Sequence, residues 1–159
     1  MPWFRVDNRL IHGQIIEAWL PYTRAKALVV ANAELAANPL TQDIAMLAVP
    51  SRIHTDFVAL EELPPLLARY ARKKTEFLAL FADCQDARKA WDLGVRFSVC
   101  NVGNLHYGKE KKQILPHVAL SIEDENCLRY LERQGVALDF RSIPADKPEF
   151  DSLDEVELL

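Results

Sequence analysis

Residues 27–31 read ALVVA and residues 77–82 read FLALFA. Neither run contains a polar residue. A strand with one face in water alternates apolar and polar side chains. A run with no polar position therefore suits a strand covered on both faces, as in a parallel sheet sandwiched between helices. Working outward, residues 3–6, 53–58, 97–102, 118–122 and 136–141 supply further strand-like segments, the last alternating like an edge strand. Between them lie helical patterns. Ile15, Ile16, Trp19 and Leu20 fall on one helix face, which Pro21 is expected to stop. Residues 39–49 read as a helix before Pro50, and residues 63–74 as a helix with Pro64 and Pro65 in its first turn. Asp83 or Asp86 caps a helix that closes at Gly94. Residues 103–113 read as a polar loop, and residues 123–134 as a helix ending at Gly135. The acidic tail, 144–159, is expected to carry a last short helix. Strand and helix thus alternate, which predicts right-handed βαβ crossovers. The expected fold is α/β: one domain over 1–159, with a doubly wound, mainly parallel sheet of six to seven strands, helices on both faces and an antiparallel edge strand.

Bulk properties fit that fold and exclude several roles. The chain has 159 residues, half of them hydrophobic, enough for one proper core. A formal net charge of −4 argues against nucleic acid as a partner. No apolar run approaches the roughly 20 residues of a spanning helix, and the charged start MPWFRVDNRL does not read as a signal peptide. Cys84, Cys100 and Cys127 are odd in number, far apart and without C-x-x-C pairing, so no disulfide framework or zinc site is expected. These features suit a reducing cytoplasm.

In doubly wound folds, ligands bind beyond the C-terminal ends of the strands. The first strand ends at Asp7, and the segment leaving it is DNRLIHGQIIEAW, residues 7–19. The helix beginning near Gln14 offers unpaired N–H groups and a partial positive charge, which favour a phosphate. Gly13 lets the backbone approach closely. Arg9 brings a planar cation suited to phosphate oxygens. His12 brings an imidazole able to attack phosphorus and release it again. Asp7 is placed to hold the loop or to fix the tautomer of His12. A reversible phosphohistidine is the sharp reading, and a polar surface histidine the plain one. Neither GxGxxG nor GxxxxGK[ST] is present to support nucleotide binding.

The same residues carry a resemblance. Residues 5–14, RVDNRLIHGQ, look like the phosphorylation-site motif of the IIB subunits of the mannose/sorbose family of the sugar phosphotransferase system (PTS). Residues 98–104, SVCNVGN, are similar to the family's N-V-G-G segment, and Gly108 with Lys112-Gln113-Ile114 resembles its G-K-x-Q-[IV] segment. The resemblance implies that His12 takes a phosphoryl group from a histidine of a IIA partner. It would pass the group to a sugar of the mannose, fructose, sorbose or N-acetylgalactosamine class held by membrane-embedded IIC and IID subunits, with this chain docking at the inner face of the membrane. It implies that Arg9 stabilises the transferring phosphoryl group, that Asp7 braces the loop, and that the backbone from Ile11 through Gly13 to Gln14 lines the pocket, with Asn8 part of the same phosphate loop. It makes Asn101, Val102 and Gly103 a second wall, and it requires neither cofactor nor metal. Asn104 departs from the family's second glycine, where asparagine would tolerate a left-handed backbone. His106 adds another imidazole nearby and reads first as loop surface, while His54 and His117 read as structural or solvent-facing. Lys109, Lys111 and Lys112 are candidates to steer an acidic partner. Two other readings stay open: a regulatory phosphohistidine relay without sugar transfer, and an anion-binding module in which His12 only donates a hydrogen bond.

Overall fold

Six of the seven expected strands join one sheet in the computed structural model, which describes residues 3–149 and 152–156. The elements run β1 (Trp3–Asp7), α1 (15–23), β2 (Ala27–Ala31), α2 (Ala33–Ala36), α3 (Pro39–Met46), β3 (His54–Val58), α4 (Leu63–Arg72), β4 (Phe77–Phe81), α5 (Cys84–Asp92), β5 (Val99–Asn104), β6 (Lys112–Leu115), β7 (Val118–Leu120), α6 (Ile122–Arg133), β8 (Ala137–Asp139) and α7 (Leu153–Val156). The sheet order is β3-β2-β4-β1-β5-β8, and every pairing in it is parallel. β1 lies between β4 and β5. Chain order reverses across it, so the loop leaving β1 sits at a topological switch point.

The doubly wound parallel sheet stands, but its edge is corrected. Among the described residues no antiparallel strand closes the sheet, because β8 pairs parallel with β5. The antiparallel pairing is a separate hairpin of β6 and β7, and β6 occupies part of the stretch expected to be loop. The connections explain both outcomes. Two residues, Pro116 and His117, join β6 to β7, which permits only an antiparallel return. The whole of α6 separates β7 from β8, the length a parallel crossover needs.

A second correction concerns Pro21. It does not end α1. The chain widens into a π-helical turn over Ile15–Trp19, where the Leu20 N–H bonds the Ile15 carbonyl, then continues as an α turn over Leu20–Thr23. Proline offers no N–H to the preceding turn, and the wider turn accommodates that loss. The stop falls at Arg24, which is left-handed with φ 57°. Asp83, not Asp86, caps α5, accepting from the Asp86 amide at 2.8 Å. Ser121 and Asp124 form a reciprocal capping box at the start of α6.

Side chains of the sheet divide between two cores. Val29, Phe4, Val6, Phe81, Cys100 and Val102 pack with α4, α5 and α6 on one face. Leu28, Val30, Leu78 and Leu80 pack with Ile15 and Trp19 of α1 on the other. β1 thus sends Phe4 and Val6 to the first face, which leaves Arg5 and Asp7 to lie beneath α1.

All three cysteines are buried and unpaired. Burial drives the Cys84 thiol well up and takes Cys100 to about 12, so thiolate is scarce at neutral pH. Native protein is therefore expected to leave Cys84 and Cys100 unlabelled by a disulfide reagent at pH 8, whereas urea-unfolded protein titrates all three thiols. Rapid native labelling of either residue, located by peptide mapping, would contradict this packing.

Candidate functional site

Arg5 and Asp7 are spaced two apart in an otherwise apolar strand, so both point to the same side. Their side chains are 1% and 0% exposed. The Arg5 guanidinium donates from Nε and Nη2 to Asp7 Oδ2 at 3.3 and 2.9 Å. Its Nη1 donates to Asn101 Oδ1 at 2.6 Å, and its Cζ lies 4.9 Å from the Trp19 ring centroid. Asn101 is itself fixed, donating from Nδ2 to the carbonyls of Asp139 and Arg141 at 3.0 Å each. Arg141, paired with Asp139 at 2.8 Å, covers another part of Trp19.

Gly103 makes room for this arrangement. A Cβ there would fall 1.8 Å from Arg5 Cζ, so only glycine admits the guanidinium. The ladder between β1 and β5 slips at this point: Val6 faces Val102, while Asp7 faces Asn104. Gly103 is the extra residue of a bulge, a device that re-aims side chains beside functional sites.

Asp7 then organises the loop. Its Oδ1 accepts from the Arg9 amide at 3.0 Å, and its carbonyl accepts from the Leu10 amide at 3.0 Å, with Leu10 left-handed at φ 56°. His12 Nε2 lies 2.8 Å from Asp7 Oδ2. The Arg9 guanidinium is half-exposed, 3.5 Å from Asp7 Oδ1 through Nε, and donates from Nη2 to Gln14 Oε1 at 2.8 Å. The His12 carbonyl accepts from the amides of Ile15 and Ile16. The helix therefore starts directly after His12, and the amides of Gly13 and Gln14 are among those a helix start leaves without an intrahelical acceptor. Asn8 ties the loop to β5. Its amide donates to the Asn104 carbonyl at 3.1 Å, its Oδ1 accepts from Asn104 Nδ2 at 2.5 Å, and its Nδ2 meets His106 Nδ1.

The electrostatics follow from burial and pairing. Burial pushes the Asp7 carboxyl up, but the His12 hydrogen bond and the Arg5 charge outweigh it, and the net effect holds Asp7 below the ordinary aspartate value of 3.8. Burial also lowers Arg5, opposed by Asp7, and a guanidinium stays cationic at neutral pH. An ionised Asp7 can only accept, so Nε2 of His12 is the donor in this contact and Nδ1 lies outside it. Arg5 neutralises Asp7, leaving the charge of Arg9 and the helix start available to an anion. Among the described residues, no group of three His, Cys, Asp or Glu side chains gathers as a metal site.

The structure thus brings Asp7, Asn8, Arg9, Ile11, His12, Gly13 and Gln14 into one loop, with Asn101 and Gly103 behind it. Val102 is the exception. It points to the opposite face and is buried in the other core, because strand alternation turns it away from its neighbours. Asn104 is not left-handed; it ends β5 as an extended residue. Lys111 is held 3.5 Å from Asp124, and Lys112 opens β6, so these lysines anchor the hairpin as well as charging it. Arg5, Trp19 and Arg141 are what the reading of roles missed. The signal for Arg5 was present: a charged pair at i, i+2 on one face of an apolar strand.

A family model for the PTS system sorbose subfamily IIB component matches residues 1–155. The fold superposes on the IIBSor domain of the sorbose permease from Klebsiella pneumoniae with a TM-score of 0.90 at 25% identity, covering 99% of this chain and 98% of that one. The N-acetylgalactosamine-specific phosphotransferase enzyme IIB component 1 of Escherichia coli is 30% identical over 146 residues, 91% of this chain and 92% of that protein. The PTS fructose-specific EIIB component of Bacillus subtilis is 24% identical over 145 residues, 91% and 89% of the two chains.

The buried pair sets a pH dependence. A carboxyl whose folded pKa is depressed stabilises the native state above its unfolded value, and that stability is lost as pH falls through the folded value. Asp7→Asn leaves Arg5 buried without a counter-charge, so it is expected to destabilise the protein at pH 7 by about 3–5 kcal/mol. Urea unfolding of both proteins as pH is lowered below the ordinary aspartate value should show the difference shrinking. A difference independent of pH would contradict an ionised Asp7.

Proposed function

Because this chain belongs to the sorbose-subfamily IIB components of the sugar phosphotransferase system, we propose that His12 is the residue on which it carries the phosphoryl group. IIB components of this family act in phosphoryl transfer to sugar, alongside IIA and membrane partners. The 2.8 Å contact between His12 Nε2 and Asp7 Oδ2 carries the proposal. It holds the proton on one ring nitrogen and presents the lone pair of the other.

The transfer runs in two displacements. Nδ1 of His12 attacks phosphorus on the phosphohistidine of a IIA donor; the Nδ1–P bond forms as the donor N–P bond breaks, and the donor imidazole leaves with the electron pair. A sugar hydroxyl then attacks the same phosphorus, the Nδ1–P bond breaks, and the hydroxyl proton passes to solvent. Such transfers depend on positioning and charge stabilisation. Arg9, steadied by Gln14, and the amides of Gly13 and Gln14 supply both at the phosphoryl oxygens. Asp7 stabilises the positive charge that develops on the ring and keeps Nε2 engaged throughout. Asn8, through Asn104, sets the outer edge of the loop, and Ile11 packs its inner side against the core.

Relatives are named as specific for fructose, sorbose and N-acetylgalactosamine, which supports a hexose or hexosamine as the substrate of this system. No helix is long and apolar enough to cross a membrane among the described residues. In this reading the chain works at the inner membrane face, where IIC and IID subunits hold the sugar.

The test is intact-mass measurement after incubation with a phosphorylated IIA protein of the same family. The wild type is expected to gain one acid-labile phosphate and His12→Ala none, while Arg9→Ala accepts roughly 10²–10³-fold more slowly with its fold intact. Phosphate on neither folded protein would overturn the proposal and leave an anion-binding module. Phosphate that reaches no sugar in the presence of IIC and IID would leave a regulatory relay.

A further inference from the structure

Large aliphatic side chains exposed singly are ordinary, but aligned ones mark contact surfaces. Among the described residues, Leu40, Ile44 and Leu47 are 70%, 60% and 87% exposed. They follow one another at i, i+4 and i+7, so they form one ridge along α3 and its C-terminal residue. The other exposed large apolar residues, Tyr22, Leu93, Tyr107 and Ile122, show no such alignment.

α3 is built to carry this ridge. It contains no fully buried side chain. It is held by polar and partial contacts instead: Asn38 caps it by accepting from the Thr41 amide at 3.1 Å, and Gln42 donates to the carbonyls of Leu35 and Ala36 at 2.8 and 3.1 Å. Met46 packs partly against the core beneath. The three ridge residues serve none of these attachments.

The ridge is continuous with the phosphoryl loop. A groove of about 420 Å³ has Asn8, Arg9, Leu10 and Ile11 on one wall and Thr41 and Ile44 on the other. Ile44 of the ridge thus shares a groove with Arg9, so a protein seated there against Arg9 touches α3 as well. Charge distinguishes among occupants. Residues 39–50 contain no lysine or arginine and one carboxylate, Asp43, with Glu34 also on the groove. An anionic lipid surface attracts basic segments and repels acidic ones, so this face suits a soluble protein better than the membrane around the permease.

We propose that Leu40, Ile44 and Leu47 form the docking ridge for the soluble phosphoryl-donor protein, whose phosphohistidine segment seats in the groove beside Arg9. The proposal rests on His12 being the phosphoryl acceptor, and the experiment separates the two. Ile44→Gln/Leu47→Gln, a neutral double variant of exposed residues, is compared with wild type and with Leu93→Gln, an apolar-to-polar change beyond the far end of α5. Each is phosphorylated by the small molecule phosphoramidate and, separately, by a phosphorylated IIA protein of the family. The expected result is unchanged acceptance from phosphoramidate in all three, with kcat/KM for the protein donor about tenfold lower in the double variant alone, through KM. Unchanged kinetics with the protein donor would overturn the docking ridge. So would a loss confined to the later transfer to sugar, which assigns the ridge to the permease, or a wild-type dimer that becomes monomeric without a change in KM, which assigns it to a second copy. Failure of wild type to accept phosphate from either donor would instead strike at His12.

Discussion

Arg5 and Asp7 lie 2.9 Å apart beneath α1, both almost wholly removed from water. Burying such a pair is a poor route to stability, since desolvation offsets much of the attraction and apolar replacements of similar volume are often as stable. Its consequence is positional. Asp7 has one oxygen committed to Arg5 and His12 and the other to the Arg9 amide. That single carboxylate thereby fixes the loop between β1 and α1 at two points, Arg9 and His12, and ties it to Arg5 in the strand. The surroundings serve that carboxylate in turn: Asn101 and the Trp19 ring hold the guanidinium, and Gly103 leaves the space it fills.

Seen this way, the family's asparagine-valine-glycine segment divides into distinct jobs. Asn101 orients Arg5, Val102 fills the opposite core, and Gly103 is a gap. Asn104, where the family pattern has glycine, is free to be a strand residue because the close approach is confined to Gly103. It uses its amide to grip Asn8 and, through it, His106.

Much of this was legible beforehand. ALVVA and FLALFA announce strands covered on both faces, and the order of elements dictates parallel crossovers. The anion-ready loop could be read from Arg9, His12 and Gly13 because local chemistry and helix-start geometry suffice. What escaped the sequence depends on non-local contacts. β6, with sequence KQIL, has too few apolar positions to declare itself and becomes a strand only through β7. The π-helical turn before Pro21 is a compromise between a missing donor and the burial of Trp19. The role of Arg5 does not show in the strand itself, because its partners Asn101 and Trp19 are distant in sequence. The exposure of the α3 ridge does not follow from its sequence, since helical periodicity alone does not say which apolar residues find a core.

The central claim is that the buried Arg5–Asp7 pair fixes the proton of His12 on Nε2 and so makes Nδ1 the phosphoryl acceptor. The most direct test is a long-range ¹H–¹⁵N NMR spectrum of histidine-labelled protein, recorded before and after phosphorylation. The account predicts an Nε2–H tautomer for His12 in the free protein and the phosphoryl group on Nδ1 afterwards. An Nδ1–H tautomer, or phosphorus on Nε2, would contradict it.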